Sequence, residues 1–184
     1  GMPLEGYTPL FEKMLDYPNI TVKLDTDANE LLSLKDGQVY FEGEPFNGQV
    51  IFTGPIDEFF SCCYGQLPYR SLNFVFEHHE KSDYQPKAVV NYTVSEDYTR
   101  ITEFKKLTGQ KKPEHTTIVK EYPISYTGKN GEIPYYSIVN DDNLALYAKY
   151  CELVKDYKNF HLLGRLAEYK YYNIDAIVDK ALTL

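Results

Sequence analysis

Four strand-like runs that follow one another without a helix between them constrain the fold of this chain most strongly. They cover residues 69–78, 87–93, 99–104 and 116–122, and each is rich in β-branched and aromatic residues. Their connections are short and polar. Such connections favour antiparallel pairing, because a parallel crossover needs a dozen or more residues and usually a helix. The middle of the chain is therefore predicted to form a largely antiparallel sheet.

The regions on either side of these runs show helical and short strand patterns. Helices are predicted at residues 8–16, 56–60, 141–157 and 174–182, and strands at 20–24, 50–53 (buried) and 160–163. Short elements of unspecified type are predicted around 31–34 and 39–41. Thr8 and Pro9 suit the N-cap and the first helical position of the first helix. The predicted fold class is α+β, a largely antiparallel sheet with flanking helices. We expect a single domain, in which a sheet domain (about 2–140) precedes a helix and a strand–turn–helix segment (141–184).

Composition limits the classes of function. Hydrophobic residues make up 43% of the chain and charged residues 25%, values typical of a soluble globular protein, and no apolar stretch is long enough to span a bilayer. The net charge of −8 argues against nucleic acids and anionic membranes as partners. Three cysteines, two of them adjacent, do not form a disulfide framework, so a cytoplasmic location is expected.

Two arginines are candidates for binding an anion. Gly164-Arg165 follows an apolar run and precedes a tyrosine-rich loop and a helix that begins near Asn173, an arrangement that offers a guanidinium and free helix N–H groups. The alternative, a structural turn in which Arg165 pairs with a carboxylate, has equal weight. Arg100 lies on a strand face beside aromatic residues, where a carboxylate of the same chain is the commoner partner.

The spelling of several segments resembles the prokaryotic UDP-galactopyranose mutases, flavoenzymes that interconvert the six- and five-membered ring forms of UDP-galactose. The segments occur in the family's order and span almost the whole chain. They are Gly6-Tyr7-Thr8, Thr53-Gly54-Pro55-Ile56-Asp57-Glu58-Phe59, Tyr69-Arg70-Ser71-Leu72, Val90-Asn91-Tyr92, Tyr98-Thr99-Arg100-Ile101-Thr102-Glu103, Lys120-Glu121-Tyr122-Pro123, Ile133-Pro134-Tyr135-Tyr136 and Gly164-Arg165-Leu166-Ala167-Glu168-Tyr169-Lys170-Tyr171-Tyr172-Asn173-Ile174-Asp175. Each segment is weak alone, but the ordered set is specific.

The resemblance implies roles for six residues. Arg100, Tyr136 and Tyr171 would bind the substrate diphosphate, and Arg165, Arg70 and Asn173 would lie at the FAD cofactor. For Tyr136 a sheet-edge aromatic, and for Arg70 a structural ion pair, remain alternatives. In the family the position of Asn173 is usually aspartate and that of Ala167 usually glycine, which puts catalytic competence in doubt. No residue of this chain is assigned as catalytic or as a metal ligand.

The chain contains no Gly-x-Gly-x-x-Gly, the turn with which the mutases hold the flavin pyrophosphate. The resemblance therefore implies the C-terminal portion of an isomerase that uses reduced FAD and UDP-galactose to supply galactofuranose for cell-surface glycans. We expect this chain alone to be inactive, with a separate flavin-domain chain as one partner. The alternative is a non-catalytic module that binds a nucleotide diphosphate or associates with itself, since an exposed apolar surface favours a homodimer.

Overall fold

A computed structural model of the chain describes residues 3–129 and 131–184. Met2 and Asn130, which fall within the predicted sheet domain, lie outside the described residues. The chain divides into two compact units, the first made of residues up to Asp25 together with Leu72–Ile124, and the second of Thr26–Ser71 together with Ser125–Leu184. This division differs from the predicted one near residue 140, and the expectation of a single domain stays a prediction.

The described residues form an α+β fold with mainly antiparallel sheets and flanking helices, which confirms the predicted fold class. The elements in chain order are α1 (Tyr7–Leu15), α2 (Ala28–Leu31), β1 (Leu32–Lys35), β2 (Gln38–Phe41), β3 (Glu44–Pro45), β4 (Val50–Phe52), α3 (Ile56–Phe59), β5 (Tyr69–His79), β6 (Val89–Asn91), β7 (Arg100–Glu103), α4 (Phe104–Thr108), β8 (Thr116–Ser125), β9 (Tyr136–Ser137), α5 (Asp141–Val154), β10 (Phe160–Leu162) and α6 (Ile174–Thr183).

The first unit contains the antiparallel strands that the sequence predicted. In it, β6, β7, β8 and the later residues of β5 lie side by side in that order. The register pairs Val90 with Ile101, and Thr102 with Val119. Phe104 was predicted to end the third run but begins α4 instead, so the strand stops at Glu103. The register leaves the side chains of residues 101–103 buried.

Three local predictions were wrong. Helix α1 begins at Tyr7, and its N-cap is Gly6 at φ 87, a conformation that glycine adopts readily, so Thr8 is not the cap. Residues 20–24 lie outside the helices and strands, because alternation alone does not supply the neighbouring strand that a ladder needs. In β4 only Phe52 is buried, whereas Ile51 is 50% exposed.

The second unit has a core built around one parallel strand pair. Strands β4 and β10 run parallel and pair Val50 with Phe160, and the Leu163 N–H donates to the Phe52 carbonyl oxygen at 3.0 Å just beyond the pair. This pairing fixes where the chain turns at Gly164. The core side chains are Val39, Phe52, Ile56, Leu67, Tyr69, Tyr150, Val154, Phe160, Ala167 and Tyr169.

Tyrosine hydroxyls connect this core to the loops around it. A buried tyrosine needs a partner for its hydroxyl, and backbone carbonyls of loops need donors. In this unit, buried tyrosine hydroxyls donate to backbone carbonyl oxygens of the loops. The bonds run from Tyr150 to the Gly65 oxygen (2.7 Å), from Tyr169 to the Pro68 oxygen (2.6 Å), from Tyr69 to the Leu166 oxygen (3.3 Å) and from Tyr147 to the Ala167 oxygen (3.1 Å). Two of them anchor residues 166 and 167, immediately after Arg165.

Candidate functional site

Arg100 lies on β7 in the first unit and contacts a side chain on each neighbouring strand. The register places it opposite Asn91 and Glu121. Its Nε donates to the Asn91 Oδ1 at 2.9 Å, and its Nη1 lies 3.6 Å from the Glu121 Oε2. The Arg100 side chain is still 40% exposed. The commoner alternative, a carboxylate of the same chain, is therefore present, and an anion at Arg100 would share the guanidinium with Glu121.

An open depression adjoins Arg100 within the first unit. Its walls include aromatic and small polar residues, and the Tyr92 and Tyr98 rings lie beside it with their centroids 5.0 Å apart. The lining residues are Asn91, Tyr92, Thr93, Val94, Glu96, Thr99 and Arg100. Arg100 is the one cation in this lining and Glu96 the one anion. The depression is large and polar enough for a small ligand, but its charge is balanced.

Arg165 in the second unit is held by stacking and by the backbone. Its Nε donates to the Tyr172 carbonyl oxygen at 2.7 Å, and its guanidinium carbon lies 4.3 Å from the centroid of the Tyr171 ring. The centroid of the Tyr136 ring lies 6.0 Å from that of the Tyr171 ring. Among the described residues, Arg165 makes no ion pair with a carboxylate. The alternative of a structural ion pair therefore does not describe this arginine. We refer to Arg165, Tyr171 and Tyr136 as the arginine–tyrosine stack.

The N-terminus of α6 follows directly after this stack. Asn173 occupies the N-cap position with extended backbone angles but makes no side-chain cap hydrogen bond. Its Oδ1 instead accepts from the Tyr171 hydroxyl at 3.4 Å. The first-turn N–H groups of a helix without a side-chain cap can donate to an anion. Tyr171 is 55% exposed, so the stack is accessible from solvent.

Arg70 lies opposite Tyr136 in the short antiparallel pair of β5 and β9. Its side chain is exposed, and within the described part of the chain it makes no hydrogen bond or ion pair. Its backbone oxygen accepts from the Tyr135 N–H at 3.0 Å. The structure thus brings Arg70, Tyr136, Tyr171, Arg165 and Asn173 into one unit, whereas Arg100 belongs to the other.

Sequence reasoning missed Glu168, which contacts three parts of this region. Its Oε2 accepts from the Gly164 N–H at 3.0 Å and from the Tyr172 hydroxyl, and its Oε1 pairs with Lys180 Nζ. Burial acts to raise the pKa of Glu168, but these hydrogen bonds outweigh burial and lower it. Burial, together with the bond to Glu168, raises the pKa of Tyr172 to about 12. No local sequence pattern connects Glu168 to Lys180 on α6.

Residues 3–129 and 131–184 contain neither a metal-binding cluster nor a membrane-spanning helix. Within those residues, no cluster of three or more histidine, cysteine, aspartate and glutamate side chains is arranged to hold a metal ion. In the same residues, no helix combines the length and the apolar character that crossing a membrane requires.

Comparison with known proteins gives a consistent result. The family model described as UDP-galactopyranose mutase matches residues 1–171. A UDP-galactopyranose mutase of Mycoplasma pneumoniae is 36% identical over 185 residues, covering 99% of this chain and 46% of that protein. The corresponding protein of Mycoplasma genitalium is 39% identical, covering 97% of this chain and 45% of that protein. A dTDP-fucopyranose mutase of Escherichia coli is 34% identical, covering 99% and 47%. The chain thus spans about half the length of these relatives.

Proposed function

The chain belongs to the UDP-galactopyranose mutase family, and we propose that it supplies diphosphate-binding residues to a flavin-dependent isomerase. The reaction would interconvert UDP-galactopyranose and UDP-galactofuranose for galactofuranose-containing cell-surface glycans, in the cytoplasm. The observation that carries this proposal is the arginine–tyrosine stack. It presents a guanidinium that pairs with no carboxylate among the residues that the structure describes, backed by accessible aromatic rings, and this combination suits a phosphate group next to a flat ring.

Three residues of this chain would act on the diphosphate. Arg100 would offset the charge that develops on the diphosphate oxygens as the sugar–phosphate bond breaks. The Tyr136 and Tyr171 hydroxyls would donate to those oxygens and orient the leaving group. Glu121 lies within 3.6 Å of Arg100 and competes with the anion for it. This competition would keep the diphosphate from binding too tightly to be released.

The donor set of the second unit also fits a flavin dinucleotide. Arg165, Arg70 and Asn173 together offer two guanidinium groups and an uncapped helix N-terminus, which suit the pyrophosphate of FAD. Reduced FAD supplies the nucleophile of the family reaction when it is bound. Since the 184 residues contain no Gly-x-Gly-x-x-Gly, we propose that this chain alone does not turn over and that flavin binding also needs residues outside it, one source being a separate flavin-domain chain.

Calorimetric titration with UDP tests the proposed role of Arg100. We expect UDP to bind at least about tenfold more tightly than uridine, because only UDP carries the diphosphate. Arg100→Ala should weaken UDP binding about tenfold, since it removes a charge-assisted contact, and should leave uridine unchanged. Lys155→Ala is the matched control, because it removes an exposed cation whose ion pair is with Glu152.

The same titration can reject the proposal. Equal affinities for UDP and uridine would show that the diphosphate is not recognised. UDP binding that survives Arg100→Ala would assign the contact elsewhere. Parallel titrations with UDP-galactose and with dTDP show which nucleotide the chain prefers. They are included because one relative is named for a dTDP-sugar. Titration with FAD shows whether the second unit retains affinity for the cofactor.

A second candidate function is self-association without catalysis, and the exposed face of α1 favours it. Tyr7, Leu10, Phe11, Met14 and Leu15 on this helix are all exposed. A contiguous apolar face of this kind usually marks an interaction surface. We expect a homodimer whose mass by light scattering falls to that of one chain after Phe11→Glu. A strictly monomeric wild-type chain across all concentrations would contradict this.

A further inference from the structure

Glu168 joins the segments on which the arginine–tyrosine stack depends. One of its oxygens accepts from the Gly164 N–H, at 3.0 Å, and from the Tyr172 hydroxyl, while the other pairs with Lys180 of α6. Its side chain is only 14% exposed. A carboxylate with donors from a turn, a loop and a helix fixes the three segments relative to one another, because charge-assisted hydrogen bonds are strong and directional.

The connection from Glu168 to the stack passes through Tyr172. The Tyr172 hydroxyl is bound to Glu168, and its backbone oxygen accepts from Arg165 Nε at 2.7 Å. Arg165 then lies over the Tyr171 ring. Gly164, the residue before Arg165, is bound to Glu168 as well. Both ends of the loop that carries Arg165 and Tyr171 are therefore held by the same carboxylate.

We propose that Glu168 is a positioning residue that orients Arg165 for the phosphate groups of a nucleotide diphosphate, a role of Arg165 beside the one proposed for it at FAD. This inference rests on the proposed function for the choice of ligand. Rigid second contacts of this kind set how well a binding residue meets its ligand. Glu168 itself does not contact the ligand.

Electrostatic repulsion alone predicts that UDP binds more tightly once the charge of Glu168 is removed. A carboxylate near an anion site repels the anion, so removing the charge would strengthen binding if Glu168 acted only as a charge. If Glu168 positions Arg165, removing the charge weakens binding, because glutamine forms no ion pair with Lys180 and its single amide oxygen cannot accept from both sets of donors. The sign of the change in UDP affinity therefore separates the two accounts.

The test compares Glu168→Gln and Tyr172→Phe with the wild-type chain. We expect each variant to bind UDP about tenfold more weakly and to speed the exchange of the Arg165 Nε–H with solvent in NMR spectra. The Arg165→Met background provides a further arm, in which Glu168→Gln should not lower UDP affinity again. Glu152→Gln is the matched control, since it breaks another Glu–Lys pair, an exposed one on α5.

Each outcome decides the inference. Unchanged or strengthened UDP binding in Glu168→Gln overturns it. A second loss of affinity in the Arg165→Met background overturns it as well, because Glu168 would then act by stabilising the fold and not through Arg165. If the wild-type chain does not bind UDP, the proposed function fails, and the Arg165 Nε–H exchange decides the positioning role by itself. Exchange that is unchanged in Glu168→Gln then overturns the inference, and faster exchange supports it.

Discussion

Replacing Tyr169 by alanine is expected to lower the free energy of unfolding of the second unit by about 4 kcal/mol. Tyr169 is 1% exposed, and its ring packs edge-on against Tyr69 at 5.3 Å and stacks on Tyr147 at 5.8 Å. Its hydroxyl is directed at the Pro68 and Ile138 carbonyl oxygens, at 2.6 Å and 3.0 Å. The substitution removes a large buried ring and leaves these half-buried acceptors without their donor.

Two variants separate the contributions of Tyr169. Tyr169→Phe keeps the ring and should cost only about 1 kcal/mol, the value of the hydroxyl contacts. Tyr171→Ala, two residues away and half exposed, should cost less than about 1 kcal/mol. The free energies of unfolding would be measured in urea, with amide exchange in the second unit as the signal. Equal losses for Tyr169→Ala and Tyr171→Ala would contradict the assigned core.

Glu103→Gln is expected to destabilise the first unit by about 3 kcal/mol. Glu103 is fully buried, and its oxygens accept from the Tyr84 N–H (3.0 Å), the Gln85 N–H (3.1 Å) and the Thr116 hydroxyl (2.7 Å). Lys106 Nζ lies 3.5 Å from it. Glutamine supplies one acceptor where the site needs more, and it introduces a donor among donors. Glu96→Gln, at an exposed position, is the control and should change little.

Acid should destabilise the first unit through the same carboxylate. Burial acts to raise the pKa of Glu103, but its hydrogen bonds and Lys106 outweigh burial and hold the pKa below that of an ordinary glutamate. Because the folded state binds the ionised form better, the stabilisation is complete above about pH 4.5 and is lost as the pH falls through the folded pKa. The protection factors of amides in the first unit, which correct for the pH dependence of intrinsic exchange, should therefore fall with acid, and should fall less in Glu103→Gln.

Asp57 in the second unit should respond to acid in the opposite direction. It is fully buried, and burial raises its pKa despite the hydrogen bond from the Leu67 N–H. The folded state thus favours the protonated carboxyl, so this group adds stability as the pH falls and loses it as the pH rises through the folded pKa. Asp57→Asn isolates this contribution, because Glu168 in the same unit has a lowered pKa and responds to acid as Glu103 does. A second unit that loses more stability in acid in the wild-type chain than in Asp57→Asn would contradict the raised pKa of Asp57.

The sequence predicted the elements whose determinants are local. The runs that became β5 to β8 could be read from composition and alternation, and α5 from its helical spacing. The parallel pairing of β4 with β10 could not, because its two strands are far apart in the chain and neither carries a mark of its partner. Alternation placed Glu103 on the same face as Ile101, and both are buried, but it could not identify the donors that make this burial tolerable.

The candidate site shows the same division between local and long-range information. The resemblance of the motifs pointed to Arg165 and Tyr171, and in the structure the Arg165 guanidinium stacks on the Tyr171 ring. It did not distinguish Tyr169, a core residue, from Tyr171, an exposed one, since both lie in the same tyrosine-rich loop. It also left open whether Arg100 had a carboxylate partner. Glu121 comes from the neighbouring strand, and only the register of β7 and β8 brings it opposite Arg100.

The most direct test of the central claim is to locate bound UDP on the chain by NMR. Arginine side-chain and backbone amide signals would be followed during a UDP titration, with uridine as the reference ligand. We expect UDP, but not uridine, to shift the Nε–H signals of Arg100 and Arg165 and the amide signals near Tyr171. Shifts confined to other regions, such as α1, or identical shifts with uridine, would contradict a diphosphate-binding role for these residues.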